Sequence, residues 1–277
     1  MKRIALPCGE TLSALGQGTW RIGEDNRRRK GEMAALRHGI DLGLTLIDTA
    51  EMYGDGRSES LVGEAIAGRR GEVFIVTKVY PHNASRHAMP TACDNSRRRL
   101  GIEVIDLYLL HWSGSVPLGE SVEAFERLQQ SGKIRYWGVS NLDLRQMVAL
   151  EAVHGGAGVQ TNQLLYNLTR RGIEWDLLPW LRQRHIPVMA YSPFEQGGLL
   201  KAPRLVKYAR QQGMTPAQVA LAWLLAQDGV VAIPKTGSRE RLEENARALS
   251  RPLTPQQLGE LNALFAAPTG PVSLEMI

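Results

Sequence analysis

From about residue 14 onward, the chain alternates between short apolar runs and longer amphipathic stretches. The apolar runs carry few charges, which is typical of strands that are buried on both faces of a sheet. We predict eight strands, at residues 14–19, 44–48, 73–78, 105–111, 134–140, 159–163, 187–191 and 230–234.

The stretches between these runs have apolar residues three or four positions apart, as on the buried face of a helix. Met33, Leu36 and Ile40 have this spacing, and the pattern ends near Gly43. Pro255 stands where proline favours the start of a helix. We predict helices at 32–42, 58–67, 121–130, 142–152, 173–184, 204–211, 216–227, 240–249 and 255–265, and another that carries the arginines at 97–99.

Eight strand–helix alternations in about 260 residues predict a closed (β/α)₈ barrel, or TIM barrel, of the α/β class. Residues 1–10 have hairpin character, so an N-terminal β-hairpin precedes the barrel, and the helix at 255–265 is an extra C-terminal one. A doubly wound sheet is the alternative. It is disfavoured because Arg21 replaces the third glycine that a Gly-x-Gly-x-x-Gly fingerprint starting at Gly16 requires. Since no linker-like stretch is present, we expect a single domain spanning 1–277.

The composition narrows the possible settings. Of the 277 residues, 43% are hydrophobic, and no apolar run approaches the roughly 20 residues of a membrane helix. The first ten residues lack the apolar core of a signal peptide. The two cysteines, Cys8 and Cys93, have no paired spacing, so neither a disulfide framework nor a zinc site is expected. His82 and His87 form no ligand set for a metal, and a cytoplasmic setting fits best.

The net charge of +5 favours anionic partners in general. The basic clusters at 27–30 and 97–99 lack the interleaved aromatic residues of a nucleic-acid site, and we interpret both as solvated faces. We therefore expect a small-molecule partner, no nucleic acid, no membrane and a monomer.

Four polar residues stand at or just after three of the predicted strands. Asp48, Lys78 and His111 each close a strand, and Tyr53 follows Asp48 in a loop. Any one of them alone is most simply a turn, cap or surface residue. If the strands are parallel neighbours, their carboxyl ends meet at one face and the four side chains converge there. An acid, a base, a phenol and an imidazole in one apolar-walled site could transfer protons.

The segments around these four residues resemble the aldo-keto reductase family, over essentially the whole chain. The resemblance rests on six segments in order: Asp48-Thr49-Ala50 with Tyr53-Gly54, Ser58-Glu59 with Gly63, Val76-Thr77-Lys78, Asp106 to Trp112, Lys133 to Asn141, and Ile233-Pro234-Lys235-Thr236 with Arg241 and Glu244-Asn245. Within the family, the chain looks most like bacterial reductases of small 2-oxoaldehydes such as methylglyoxal.

The resemblance implies that NADPH delivers a hydride to a carbonyl carbon and that Tyr53 then protonates the oxygen. Lys78 would lower the Tyr53 pKa from about 10 toward neutrality. Asp48 would pair with Lys78, and a neutral His111 would orient the carbonyl oxygen.

The same resemblance implies the cofactor and substrate residues. Ser140, Asn141 and Gln163 would bind the carboxamide, and Tyr191 would stack on the nicotinamide. Lys235, Thr236 and Arg241 would bind the 2′-phosphate. The other cofactor residues would be Gly18, Thr19, Trp20, Asp48, Ser192, Pro193, Glu244 and Asn245. The substrate would meet Trp20, Tyr80, His111 and Trp112, whereas Trp137, Trp175, Trp180 and Trp223 are expected to serve packing.

Two other functions fit less well. A cofactor-binding regulatory protein on the same barrel, like a potassium-channel β-subunit, is disfavoured because no partner-binding insertion is apparent. A Schiff-base aldolase with Lys78 as its lysine leaves Lys235, Arg241 and the Ser140-Asn141 pair unexplained.

Overall fold

The computed structural model describes residues 2–277. Within these residues, eight parallel strands form one sheet, in which consecutive strands of the chain are neighbours. The sheet closes because the first and last strands are joined by two parallel bridges, from Leu15 to Ala232 and from Gly18 to Lys235. The predicted closed (β/α)₈ barrel is confirmed. Its strands are β3 (Gln17–Gly18), β4 (Leu46–Asp48), β5 (Phe74–Val79), β6 (Ile105–Leu110), β7 (Ile134–Ser140), β8 (Asn162–Leu165), β9 (Val188–Tyr191) and β10 (Val230–Ala232).

The predicted hairpin is also present and lies at the amino-terminal end of the barrel. Its strands β1 (Arg3–Ala5) and β2 (Thr11–Ser13) pair antiparallel, with Ile4 opposite Leu12. The Cys8 backbone N–H donates to the side chain of Gln160, just before β8, at 2.9 Å. The hairpin therefore covers the end of the barrel opposite to the carboxyl ends of the strands.

The helices surround the barrel and bury their apolar faces against the strands, as expected from their spacing. Thr215 and Thr254 cap the helices that begin at Pro216 and Pro255, each through a capping box. The helices are α1 (Arg29–Asp41), α2 (Arg57–Ile66), α3 (Met89–Leu100), α4 (Leu118–Gln130), α5 (Leu144–Ala152), α6 (Leu177–Gln183), α7 (Pro203–Gln211), α8 (Pro216–Ala226), α9 (Arg239–Arg247) and α10 (Pro255–Leu264).

Many element boundaries differ by a few residues from the predicted ones, including the three that follow. β8 begins at Asn162 instead of residue 159, and it extends through Leu165. β3 retains only Gln17–Gly18, because residues 14–16 pair with the last strand by an isolated bridge and single hydrogen bonds. The predicted helix at 173–184 is split into a 3₁₀ turn at Gly172–Glu174 and α6, which Asp176 caps.

None of the helices formed by residues 2–277 combines the length and the apolarity that are needed to cross a membrane.

Candidate active site

The four polar residues predicted to converge do so at the carboxyl-terminal mouth of the barrel. Asp48 is the last residue of β4, Lys78 lies one residue before the end of β5, and His111 directly follows β6. These strands are neighbours in the parallel sheet, so their carboxyl ends reach the same mouth. The side chains of all three are buried, and Tyr53 approaches them from the loop after β4.

Lys78 and Asp48 form a buried ion pair. The Lys78 Nζ donates to Asp48 Oδ1 at 2.8 Å, to Asp48 Oδ2 at 2.9 Å and to the Thr49 carbonyl at 2.7 Å. Burial lowers the pKa of Lys78, whereas the Asp48 carboxylate acts in the opposite direction. The oxygens around Nζ replace the water that this ammonium loses, which is the condition for keeping a charge inside a barrel.

Tyr53 lies on the open side of this pair, and its hydroxyl oxygen is 3.4 Å from Lys78 Nζ. We predicted that Lys78 lowers the pKa of Tyr53, and that prediction is wrong. Burial raises the pKa of Tyr53 well above 10, and the charge of Asp48 raises it further. The charge of Lys78 is already balanced by Asp48 at a shorter distance, so it cannot outweigh the loss of water. The phenol is therefore protonated at neutral pH.

His111 is a neutral imidazole beside Tyr53. Burial lowers the pKa of His111 to about 2, and the positive charge of Lys78 contributes in the same direction. Its Nδ1 is buried without a hydrogen-bond partner, and the rings of His111 and Tyr53 meet edge to face at 6.0 Å. Because a proton on a buried, unpartnered Nδ1 would cost free energy, the favoured tautomer carries it on Nε2.

A layer of hydroxyl groups supports the backbone at Asp48. The Thr19 hydroxyl donates to the Asp48 carbonyl at 2.9 Å, and the Ser58 hydroxyl donates to Thr19 Oγ1 at 2.8 Å. Thr49 reaches Ser58 from the other side at 3.3 Å. This layer connects β3, β4 and α2, and it gives a physical reason for a serine at the start of α2.

Amide and hydroxyl side chains adjoin these four residues on the other side of the mouth. Gln163 Nε2 donates to Asp48 Oδ1 at 2.7 Å, and Asn141 Nδ2 donates to the His111 carbonyl at 3.1 Å. The Tyr191 hydroxyl donates to Asn141 Oδ1 at 3.0 Å. Asn141 adopts a φ of 58°, a left-handed conformation that asparagine tolerates better than most residues. These groups could bind a planar amide.

Basic and polar residues lie where β10 leads into α9. Lys235 is exposed, yet partial loss of water lowers its pKa, against the opposing influence of Glu32. The side chain of Ser238 caps α9 by accepting the N–H of Arg241, whose own side chain is exposed. Two cations at the start of a helix favour an anionic group.

A single cavity of about 710 Å³ connects the two ends of the site. The predicted site residues that line it are Gly18, Thr19, Trp20, Asp48, Tyr53, His111, Trp112, Ser140, Asn141, Gln163, Tyr191, Ser192, Pro193, Lys235, Thr236, Arg241, Glu244 and Asn245. Lys78 lies beneath the floor of the cavity and acts on it through Asp48 and Tyr53.

Comparison with known proteins agrees with this geometry. The model of the aldo/keto reductase family matches residues 14–266. The chain belongs to this family. It is 50% identical to methylglyoxal reductase YeaE of Escherichia coli (strain K12), over 100% of this chain and 99% of that protein.

This family member also resembles solved structures over its full length. An aldo/keto reductase from Klebsiella pneumoniae, crystallised in complex with NADP and acetate, has a TM-score of 0.97 and 48% identity. That comparison covers 100% of this chain and 99% of the other. A structure of an aldo-keto reductase from the same organism in complex with NADPH has the same TM-score, identity and coverage. The resemblance predicted from the six segments is confirmed.

Two aromatic residues of this aldo/keto reductase are not located as predicted. Tyr80 does not line the cavity. Its ring stacks on His82 at 4.8 Å and meets Trp112 edge to face at 6.0 Å, so it contacts the cavity wall through Trp112. Trp175 was assigned to packing, but it is 47% exposed. Trp137 and Trp223 are fully buried, as expected.

Several cavity residues were not predicted from the sequence. Arg21 stacks over the Trp20 ring at 4.3 Å, and its place directly after a predicted residue was an available signal. Met276 and Ile277 line the cavity from the far end of the chain, where no local pattern points to them. The loop between β9 and α7 adds Phe194, Gln196, Gly197, Leu200 and Lys201.

Proposed function

We propose that this aldo/keto reductase is an NADPH-dependent reductase of small aldehydes and 2-oxoaldehydes, with Tyr53 as the proton donor. The observation that carries the proposal is the shared cavity. It joins a protonated phenol over a buried ion pair, a set of amide groups and, at its far end, two cations.

The residues along the cavity fit the parts of NADPH in order. The amide and hydroxyl groups of Ser140, Asn141 and Gln163 match a carboxamide, and the ring of Tyr191 offers a stacking surface beside them. Lys235 and Arg241 match a phosphate. Gly18, Thr19, Trp20, Ser192 and Pro193 would border the ribose and pyrophosphate, Thr236 would add a hydroxyl at the 2′-phosphate, and Glu244 and Asn245 would meet the adenine. When bound, NADPH supplies the hydride that reduces the carbonyl carbon.

The protein side chains handle the carbonyl oxygen. The N–H of the neutral His111 donates to this oxygen and orients it toward the Tyr53 hydroxyl. As negative charge develops on the oxygen, Tyr53 donates its proton, which its raised pKa keeps in place until then. The phenolate left behind lies 3.4 Å from the Lys78 ammonium, which stabilises it.

Asp48 serves Lys78 and the amide groups together. One oxygen, Oδ1, accepts hydrogen bonds from both Lys78 and Gln163, at 2.8 Å and 2.7 Å. A change at Asp48 therefore alters the charge near Tyr53 and the orientation of Gln163.

The walls favour a small carbonyl compound. The Trp112 ring lies 4.8 Å from the His111 ring, and Trp20, Met276 and Ile277 add further apolar surface to the cavity lining. This apolar enclosure suits an aldehyde or a compact dicarbonyl compound. The name of the E. coli relative, methylglyoxal reductase, supports methylglyoxal as a substrate.

The decisive experiment follows the loss of the NADPH absorbance band with methylglyoxal, simple aldehydes and a steroid ketone as substrates. We expect the best kcat/KM on methylglyoxal or a similarly small aldehyde, and Tyr53→Phe should abolish most of it. Preference for the steroid, or no turnover of any small carbonyl compound, would refute the proposal.

A single domain over 1–277, a monomeric state and a cytoplasmic location stay predictions. Light scattering during size-exclusion chromatography tests the second of them.

A further inference from the structure

Two segments that are distant in sequence enclose the cavity. One is the loop 192–201, which follows β9, and the other is the segment 271–277, which has no regular secondary structure. Within the loop, Ser192, Glu195 and Gln196 have φ values of 51°, 49° and 52°. Such left-handed conformations are unfavourable for non-glycine residues, so contacts from outside the loop must hold this shape.

Segment 271–277 also depends on contacts from elsewhere. On one side, Met276 and Ile277 line the catalytic cavity. On its other side, residues 271–276 line a second cavity of about 670 Å³. Because the segment is a wall between two cavities, core packing alone does not fix its position.

The side chain of Arg170 contacts both segments. Its Nε and Nη2 donate to Glu195 Oε1 in the loop, at 2.9 Å and 2.7 Å. Its Nη1 donates to Glu275 Oε1 at 2.5 Å. The planar guanidinium can reach two carboxylates at once, which a lysine ammonium on a flexible stem does much less well.

Asn167 fixes both Arg170 and the loop. The fully buried Asn167 accepts the backbone N–H of Arg170 at 3.0 Å and donates to Glu195 Oε2 at 2.9 Å. Burial raises the pKa of Glu195, but the hydrogen bonds from Arg170 and Asn167 outweigh it and lower the pKa overall. Glu195 is therefore ionised at neutral pH.

The position of Glu275 determines where the next two residues lie. Ile277 lines the same cavity as Tyr191, and its backbone opposes the burial that raises the Tyr191 pKa. The Tyr191 hydroxyl itself donates to Asn141. Holding Glu275 thus holds the segment against the proposed nicotinamide wall.

We propose that Arg170 is a positioning residue that fixes both covers of the cavity, the loop 192–201 over the cofactor and the segment 271–277 over the substrate. Retention of NADPH and the size limit on the carbonyl substrate then depend on one side chain. The expected effects on NADPH binding and on substrate preference rest on the proposed function.

The ion pairs of Arg170 should restrict the motion of the two segments more than they stabilise the whole fold. Arg170 and Glu275 are each 36% exposed, and ion pairs at such positions add little to global stability. Arg170→Met is accordingly expected to fold, and its segments should open more often.

The test compares Arg170→Met, Arg170→Lys, Glu195→Gln and Glu275→Gln in the full chain. The Kd for NADPH is measured by tryptophan fluorescence quenching. The kcat/KM for methylglyoxal is compared with that for a bulky aromatic aldehyde. Arg184→Ala is the matched control, because Arg184 makes a similarly exposed pair with Glu151.

For Arg170→Met we expect a Kd for NADPH raised about three- to tenfold and a preference for methylglyoxal over the bulky aldehyde reduced by a similar factor. Glu195→Gln should change mainly the Kd, and Glu275→Gln mainly the size preference. Arg170→Lys should restore part of one effect, since lysine can pair with one carboxylate at a time. Arg184→Ala should change neither.

Hydrogen–deuterium exchange provides a readout that does not depend on activity. Residues 192–201 and 271–277 should both exchange faster in Arg170→Met than in the wild type. If only one segment or neither responds, or if Arg170→Met alters the Kd alone or the size preference alone, the proposed double role is refuted. A wild type that binds no NADPH would refute the proposed function, and exchange would still decide whether Arg170 holds both segments.

Discussion

Gln163 Nε2 donates a hydrogen bond of 2.7 Å to Asp48 Oδ1, the same oxygen that accepts from Lys78. Gln163 lies in β8 and Asp48 is the last residue of β4, so this hydrogen bond crosses the mouth of the barrel. The bond joins the proposed carboxamide site to the proposed proton donor, since Lys78 lies 3.4 Å from Tyr53. Binding at one end of this chain of contacts is therefore expected to adjust the other.

The first prediction tests Tyr53 as the proton donor. Tyr53→Phe keeps the ring and removes the hydroxyl that lies 3.4 Å from Lys78 Nζ. Because general acid catalysis contributes roughly 10²–10⁴-fold, kcat should fall by about that factor, while the Kd for NADPH stays within about twofold. Steady-state kinetics and fluorescence titration measure the two quantities. A variant with most of its turnover would exclude Tyr53 as the donor.

The second prediction concerns the buried ion pair. Lys78→Met leaves the Asp48 carboxylate buried with Gln163 as its remaining side-chain donor, so the free energy of unfolding should drop by about 3–5 kcal/mol. Adding Asp48→Asn removes the uncompensated charge and should restore part of the stability, but no activity. Urea denaturation of the wild type, the single variant and the double variant measures this. A double variant no more stable than Lys78→Met would argue against the pair.

The third prediction uses the pKa of His111. The folded protein lowers this pKa from 6.5 to about 2, so the unfolded chain binds one more proton between these values. The stabilisation from keeping His111 neutral is complete above pH 6.5 and is lost as the pH falls toward 2. Below pH 6, the free energy of unfolding should fall by about 1.4 kcal/mol per pH unit from this group alone.

His111→Gln provides the comparison for this slope. Glutamine keeps an N–H donor and does not titrate, so its unfolding free energy should change less between pH 6.5 and pH 5 than that of the wild type. Chemical denaturation at several pH values measures both. Parallel profiles for the two proteins would contradict the pKa assignment.

The fourth prediction concerns the choice of cofactor. Arg241 and Lys235 both line the cavity, whereas Arg239, two residues before Arg241, does not line it and reaches His38. Arg241→Ala should weaken NADPH binding about tenfold and hardly change NADH binding, because only NADPH carries the 2′-phosphate. Arg239→Ala is the control and should leave both affinities unchanged. The NADPH preference should also shrink as salt rises, since the Arg241 side chain is exposed.

Fluorescence titration of both cofactors into each variant decides the matter. Equal losses for NADPH and NADH in Arg241→Ala would indicate a structural role for Arg241 at the start of α9.

The barrel and the end at which its polar residues meet could be predicted from the sequence alone. Strands such as Ile105–Leu110 are buried on both faces because helices cover one side and the core fills the other, and the mostly apolar pattern that this burial selects is local. The residues Asp48, Lys78 and His111 stand at or just after strand ends, and parallel strands bring such ends to one mouth. Their convergence therefore followed from the order of elements alone.

The environment of those residues depends on contacts between elements that are distant in sequence. The pKa of Tyr53 depends on how deeply the ring is buried and on whether Asp48 has already balanced Lys78, and neither is written in local spacing. The edge-to-face contact of Tyr80 with Trp112 depends on how the loop after β5 packs against the loop after β6.

The enclosure of the cavity was likewise decided by long-range contacts. Arg170 is 25 residues from Glu195 and 105 residues from Glu275, and all three are ordinary surface charges by sequence pattern. Periodicity reports which face of an element is buried, because burial selects apolar side chains position by position. An ion pair between irregular segments leaves no such period, so it becomes visible only when the closed barrel brings the segments together.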